Sequence, residues 1–402
     1  MKLKSGCSFW PTIYQGPEVQ TRPLMRDIRC EVAVIGAGIS GALATYHLVN
    51  AGLHVVVLDR RDIGKGSTAA STGLLQYEID TPLVDLIAKI GSEKAITAYR
   101  VSAEATAAFA PLVAQLADPC GLHARPSLYL AAGEADVKVL QAECHARLAM
   151  GIDVKFLSAT ELHSAFGFSR PAALLSKLGF EVDPYRLTQH LLLAAASRGA
   201  EMFTQTEVTR YEADERGVTL TAANGPTVRA DHVVFATGYE TMGIVPDGLC
   251  TLSSTYALCG EPLADLPGWR DRCLIWEAAR PYLYVRSAPA NRIMVGGQDE
   301  PIVDPEKRDA LIEPKTEKLR QRFAELFAGT QIETTCAWAG TFSQTKDGLP
   351  YIGRLASFPR GYFALGYGGN GITFSLIAAE LIRDSILEKP NPIAELFGFD
   401  RR

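Results

Sequence analysis

The stretch "CEVAVIGAGISGALATYHLVNAGLHVVVLD", Cys30–Asp59, decides the fold. It opens on a short run rich in β-branched residues, which reads as a buried strand. Glycines follow at Gly36, Gly38 and Gly41, in the spacing G-x-G-x-x-G. From Ile39 the chain reads as a helix, stopped at Gly52, and Leu53–Asp59 reads as a second buried strand. Each part has a physical reason. Gly36 permits a tight turn, Gly38 lets the backbone approach a pyrophosphate, and Gly41 lets helix and strand pack closely. The free N–H groups and dipole of the helix start favour phosphate oxygens. Asp59, which ends the second strand 18 residues after Gly41, can accept hydrogen bonds from ribose hydroxyls. A lone glycine triplet would be an ordinary turn; strand, turn, helix, strand and acid together make a dinucleotide site. The fingerprint alone does not separate NAD from FAD.

Around this unit the chain alternates strands and helices, which places it in the α/β class. A helical stretch is expected from about Leu83 to Leu116, a strand at Ser127–Ala132, and another helix at Ala135–Met150. A helix stopped at Gly199 precedes several short strands up to Tyr239. A charged helix is expected near Glu313–Phe327. Last come a strand "GYFALGY" and a long helix that ends before Pro390.

Bulk properties exclude several classes. The 402 residues allow two or three cores, and 47% hydrophobic with 21% charged residues is an ordinary globular balance. Forty basic and 45 acidic residues give a net charge of −5 without a long like-charged run, so neither nucleic acid nor an anionic membrane surface is an expected partner. The eight cysteines (Cys7, Cys30, Cys120, Cys144, Cys250, Cys259, Cys273 and Cys336) have no C-x-x-C or zinc spacing, so no metal site is expected. The polar, Pro- and Gly-containing N-terminus lacks a signal-peptide core, and no apolar run is long enough to span a bilayer. A soluble cytoplasmic protein is expected.

Three later segments bear on the dinucleotide. "GSTAASTGLL" offers small residues and hydroxyls at Ser67, Thr68 and Thr72, then Gly73 and Leu74, suited to threading beneath a long cofactor. It could equally be a capped helix start. "VVFATGY" is a strand that ends at Thr237 and Gly238, where backbone can pass close to a cofactor. "GYGGNGITF", from Gly366 to Phe374, lies between a strand and a long helix, and its N–H groups at Gly371, Ile372 and Thr373 point out of the helix start.

Taken with "WAGTFSQTKDGLPYIGR" (Trp338–Arg354), the ordered motifs resemble the FAD-dependent D-amino acid oxidase superfamily. Residues 31–75 and 336–390 are most similar to glycine oxidase-like members. The N-terminal "SFWPTIYQGP" looks more like the gamma-glutamylputrescine oxidoreductase branch. The resemblance implies a segmented Rossmann-like FAD-binding domain and a second α+β substrate domain with a mixed or antiparallel sheet. The expected division is a 1–30 extension, an FAD domain from 31–82, 180–249 and 336–390, a substrate domain from 83–179 and 250–335, and a 391–402 tail. Carried over by motif, FAD contacts fall on Gly38, Ile39, Ser40, Asp59, Arg60, Ser67, Thr68, Thr72, Gly73 and Leu74. They fall also on Val208 and on Tyr367, Gly368, Gly369, Asn370, Gly371, Ile372 and Thr373. No Cys or His stands where some members attach flavin, so non-covalent FAD is implied.

The chemistry implied is oxidation of a C–N bond, with hydride passing to the flavin and the imine then hydrolysed; no side-chain catalyst is assigned. In the glycine oxidase-like pattern an arginine two residues after W-A-G pairs with the substrate carboxylate. Here Phe342 fills that place, and Gly369 replaces a second arginine. Burying a free carboxylate against Phe342 without a partner would cost roughly 3 kcal/mol or more. An amine or an N-substituted amino acid is therefore the expected substrate. The alternatives are a free glycine or D-amino acid read by Arg286, and a flavin-binding subunit without turnover. Alternation along "YLYVR" puts Arg286 on the face of Tyr282 and Tyr284, and these tyrosines with Trp276 could form an aromatic wall. The acceptor could be O₂, a quinone or an electron-transfer protein.

Overall fold

The computed structural model describes residues 2–263 and 269–401. The dinucleotide unit builds an eight-stranded sheet. Its parallel centre runs Glu201–Phe203, Val55–Leu58, Ile28–Ile35, Thr227–Phe235. Every residue of Val55–Leu58 is buried, as expected of a strand covered on both faces. The far side of Thr227–Phe235 is shared. Its first half pairs antiparallel with Gly217–Ala222, and its end pairs parallel with Gly361–Leu365. The helices Ile39–Asn50, Pro184–Ala196 and Gly371–Ile386 join this sheet in one large core. Alanines at 42, 44, 378 and 379 are buried there, which lets helix axes come close, and Ser40 Oγ lies 2.7 Å from Ser375 Oγ across the first and last helices. Both of these helices begin at the same cavity.

A nine-stranded sheet faces that cavity. Its order is Lys4–Gly6, Thr334–Thr345, Cys250–Gly260, Arg292–Glu300, Leu283–Ala288, Leu274–Glu277, Ser127–Leu130, Ala172–Ser176, Val154–Ser158. All neighbours are antiparallel except Leu274–Glu277 with Ser127–Leu130. One face packs Tyr256, Leu283, Val285, Val295 and Ala339 with Leu319 and Phe323 of the helix Ile312–Leu326. Period-two alternation then sends Thr255, Tyr284 and Phe342 to the cavity side.

Several segments lie elsewhere than the sequence suggests. The expected helix from Leu83 to Leu116 is two helices, Leu83–Ile90 and Ser92–Val113, separated by Gly91 at φ 86. Both contribute buried residues to the core of the parallel sheet rather than to a substrate domain, because Leu83, Leu86, Tyr99 and Phe109 are apolar and need that cover. The strand Thr334–Thr345 pairs along its whole length with Cys250–Gly260, so the chain leaves the nine-stranded sheet only at the turn after Thr345, not at 336. The N-terminal extension adds a strand against residues 338–340 and buries Phe9 and Trp10. In the 391–402 tail Phe397 is buried, and Arg401 binds Asp347 at 2.8 Å. Among the described residues no helix is long and apolar enough to cross a membrane.

Candidate active site

The glycine turn is built as tightly as its spacing implies. Gly36 has φ +113, and a Cβ there would sit 2.4 Å from the Ala236 carbonyl oxygen. A Cβ on Gly41 would come within 1.8 Å of the Gly36 carbonyl oxygen. Asp59 ties the turn to the strand, accepting from the N–H of Ala37 at 2.7 Å and of Arg61 at 2.8 Å. Burial raises the Asp59 pKa above the ordinary value, and these two N–H groups oppose the rise. Each carboxylate oxygen keeps a lone pair for a further donor.

A cavity of about 600 Å³ opens above the turn. Gly36, Gly38, Ile39, Ser40, Asp59 and Arg60 wall one part, and Ser67, Thr68, Thr72 and Leu74 another. Val208, Thr237, Gly238 and the loop from Tyr367 through Gly368, Gly369, Asn370 and Gly371 to Ile372 complete it. Gly41, Gly73 and Thr373 stand behind the lining: Gly41 supports the turn, and Thr373 Oγ1 reaches the Gln76 carbonyl at 3.4 Å. Asn370 donates to the Glu78 carbonyl at 2.8 Å, while its Oδ1, buried, has no partner among the described residues. Arg60 is held by Glu207 at 3.2 Å and by Glu240, and Arg61 by Glu240 at 2.8 Å.

Three side chains clamp the hydroxyl-rich segment from outside. Trp10 Nε1 donates to the Ser71 carbonyl at 2.7 Å and Trp338 Nε1 to the Ala70 carbonyl at 2.8 Å. The third is Arg286, which corrects its expected role as a reader of carboxylates. It shares the face of Tyr284 but is 2% exposed and does not line the cavity. Its Nη1 donates to the carbonyls of Thr72 (3.0 Å), Gly73 (2.9 Å) and Val182 (2.8 Å), its Nε donates to that of Ser287, and Glu181 lies 3.6 Å away. The guanidinium is spent on holding Thr72 and Gly73 in place.

A closely turned glycine backbone, two helix starts and unspent polar atoms suit a long phosphate-bearing cofactor. The family model described as "FAD dependent oxidoreductase" (DAO) matches residues 31–385. The chain belongs to that family. It is 27% identical over 380 residues to a glycine oxidase of Bacillus licheniformis, covering 90% of this chain and 94% of that one. It is 26% identical over 381 residues to the gamma-glutamylputrescine oxidoreductase of Escherichia coli, covering 90% and 84%. The solved glycine oxidase from Geobacillus kaustophilus superposes with a TM-score of 0.78 at 22% identity, over 93% of this chain and 99% of that one. The protein is thus an FAD-dependent oxidoreductase, and the residues of its cavity fit FAD. FAD bound there supplies the two-electron acceptor.

The remaining wall of the flavoenzyme's cavity is aromatic and acidic. Trp276, Tyr282, Tyr284 and Phe342 line it, with Asp80, Asp299 and Glu78. Trp276 is fixed by stacking on Tyr129 at 3.8 Å and by its Nε1 donating to Ser127 Oγ at 3.0 Å. Asp80 Oδ2 accepts from the Gly369 N–H at 2.6 Å. Burial raises the Asp80 pKa and pushes that of Asp299 to about 6. Burial likewise raises the Tyr284 hydroxyl to about 12. Sequence reasoning missed all three acids, which belong to no motif; Glu78 and Asp80 lie two residues apart, and the fold brings Asp299 to the same cavity.

Proposed function

We propose that this flavoenzyme oxidises a C–N bond of an amine or an N-substituted amino compound in preference to a small free amino acid. The observation that carries the reading is Phe342 on the cavity wall, in a lining that also holds Trp276, Tyr282 and Tyr284. Every cation of that lining is already paired: Arg60 and Arg61 with glutamates, and Arg210 with Glu212 at 2.8 Å. A free carboxylate entering there meets no spare positive partner on the wall.

In the reaction the carbon next to nitrogen gives up a hydride and the nitrogen a proton. The resulting imine takes up water and splits into a carbonyl compound and an amine. The chain's part is to hold the C–H in line, exclude water and receive the amine neutral. Among the described residues no cysteine or histidine lines the cavity, which supports non-covalent FAD. A cytoplasmic protein that passes its electrons to O₂, a quinone or an electron-transfer protein completes the proposal.

A second reading has one observation in its favour. Arg280 lies over the Tyr282 ring, 3.2 Å from its centroid, and lines a small cavity shared with Asp80, so it could meet a substrate carboxylate there. An anaerobic screen of alkylamines, sarcosine, glycine and D-amino acids decides between the two. Bleaching by amines alone supports the first reading, and bleaching by glycine or D-amino acids alone supports the second. If all leave the yellow protein oxidised, amine oxidation is refuted. Repetition in air with peroxide detection tests the O₂ assignment.

A further inference from the structure

The resemblance carries arginine at two places where this chain has none, and the structure gives what stands there instead. At 342 it is an aromatic ring. At 369 it is the carboxylate of Asp80. A Cβ on Gly369 would lie 2.7 Å from Asp80 Oδ1, and one on Gly368 would lie 2.7 Å from Oδ2. The loop is bare so that the acid can fit against it. Asp80 and Asp299 line the same cavity, and the Asp80 charge adds to burial in raising the Asp299 pKa, yet neither forms an ion pair with a basic side chain within 4.0 Å among the described residues. The cation that acts most on both is Arg280, an exposed residue that stacks on Tyr282.

A third acid stands on the same wall. Glu78 is 4% exposed, and its Oε2 has no hydrogen-bond partner among the described residues. Its Oε1 lies 3.5 Å from Arg147. A buried oxygen left without a donor is costly unless a ligand brings one. The rings of Trp276, Tyr282, Tyr284 and Phe342 add faces that attract a cation by their quadrupoles. Unpaired carboxylates, an unsatisfied buried oxygen and aromatic walls all favour a positive charge in the ligand.

We propose that Asp80 and Asp299 form a cation subsite for a second, protonated nitrogen of the substrate, so that the enzyme takes diamine-like molecules in which one nitrogen is oxidised while the other stays charged against these carboxylates. The proposal rests on the amine-oxidising reading above. It assigns specificity to residues outside the motifs of the family. Aromatic rings then line the alkyl segment between the nitrogens, and the neutral end is left to present its C–H.

The test uses the FAD-loaded protein and does not depend on turnover. Hexamethonium carries two fixed positive charges and cannot form an imine at either nitrogen. It is titrated against the oxidised flavin spectrum beside tetramethylammonium and benzoate. The expected result is hexamethonium binding at least tenfold tighter than tetramethylammonium. Asp80→Asn and Asp299→Asn, each measured in its FAD-loaded form, should weaken it tenfold or more. Equal binding by wild type and Asp299→Asn overturns the subsite, and so does benzoate binding tighter than hexamethonium. Should Asp80→Asn fail to fold, Asp299→Asn carries the test alone. Anaerobic bleaching by 1,4-diaminobutane and butylamine separates the two claims. If hexamethonium binds as expected but no amine bleaches the protein, amine oxidation fails and the subsite stands. If both amines bleach it equally well and the variants bind hexamethonium as wild type does, the subsite fails and amine oxidation stands.

Discussion

Asp80 and Gly369, 289 residues apart in the chain, meet through a 2.6 Å hydrogen bond from the Gly369 N–H to the carboxylate. The glycine is required by space rather than by backbone angle, since its Cβ would strike Asp80 Oδ1 at 2.7 Å. Gly369→Ala should therefore lower holoenzyme stability by about 1–2 kcal/mol, as overpacking does. In an Asp80→Ala background the same change should cost only a few tenths. Thermal denaturation of the four proteins measures the coupling, expected at about 1 kcal/mol. Additive losses would show that the two residues do not compete for one volume.

Arg286 is a buried cation satisfied by carbonyls of Thr72, Gly73, Val182 and Ser287. Arg286→Ala strands these acceptors and leaves the buried Glu181 carboxylate without its 3.6 Å partner, although Arg125 still binds it at 2.9 Å. The expected loss is about 3–5 kcal/mol, accompanied by release of FAD as the 70–73 segment loosens. Arg286→Lys should recover little, because an ammonium lacks the planar fork that reaches several carbonyls at once. FAD retention and Tm are the measurements. A stable, FAD-replete Arg286→Ala with altered ligand selectivity would return the residue to the substrate pocket.

These two residues mark how far the sequence could be read. Gly36, Gly38, Gly41 and Asp59 are legible because one short unit carries strand, turn, helix and acid, and every constraint is local. The loop from Gly366 to Ile372 is legible because four glycines around a helix start have few other uses. The face of Arg286 follows from alternation, but its partners do not, since Thr72 lies 214 residues away. Asp80 and Asp299 sit in no spaced motif; Asp80 lies in a loop and Asp299 on the strand Arg292–Glu300, and only the fold puts both on one cavity wall. The division at 336 was hard to read for a similar reason: pairing with Cys250–Gly260 carries the strand through Thr345, and that long-range register is not displayed in the sequence.

Asp299 gives a pH dependence with a defined sign. Its folded pKa, pushed by burial and by Asp80 to about 6, lies above the ordinary 3.8, with Thr255, Arg280 and Lys315 pulling the other way. Folding thus favours the protonated acid. That contribution is complete below pH 3.8 and is lost as pH rises through about 6. Asp299→Asn mimics the neutral acid at every pH. It should match wild type near pH 4 and exceed it by up to about 3 kcal/mol above pH 7. Denaturant melts across this range measure the difference. The same variant is expected to bind dications more weakly, so stability and recognition oppose one another at this position. A pH-independent difference would mean that Asp299 is not held in this environment.

Phe342 occupies a strand position whose side chain reaches the cavity, opposite Ser253 of the neighbouring strand. Phe342→Arg places a planar cation where the resemblance has one. Small carboxylates such as benzoate and glycolate should then perturb the oxidised flavin spectrum at least tenfold more tightly than in wild type, a gain of about 1.4 kcal/mol. Hexamethonium should bind more weakly, because the new guanidinium competes for Asp80 and Asp299 and repels the ligand. The two shifts are linked by charge, so they must appear together. Tighter benzoate binding with unchanged hexamethonium binding would place the acids beyond reach of residue 342. No change in either would mean that the ring does not face the bound ligand, and the preference for amines would lose its main support.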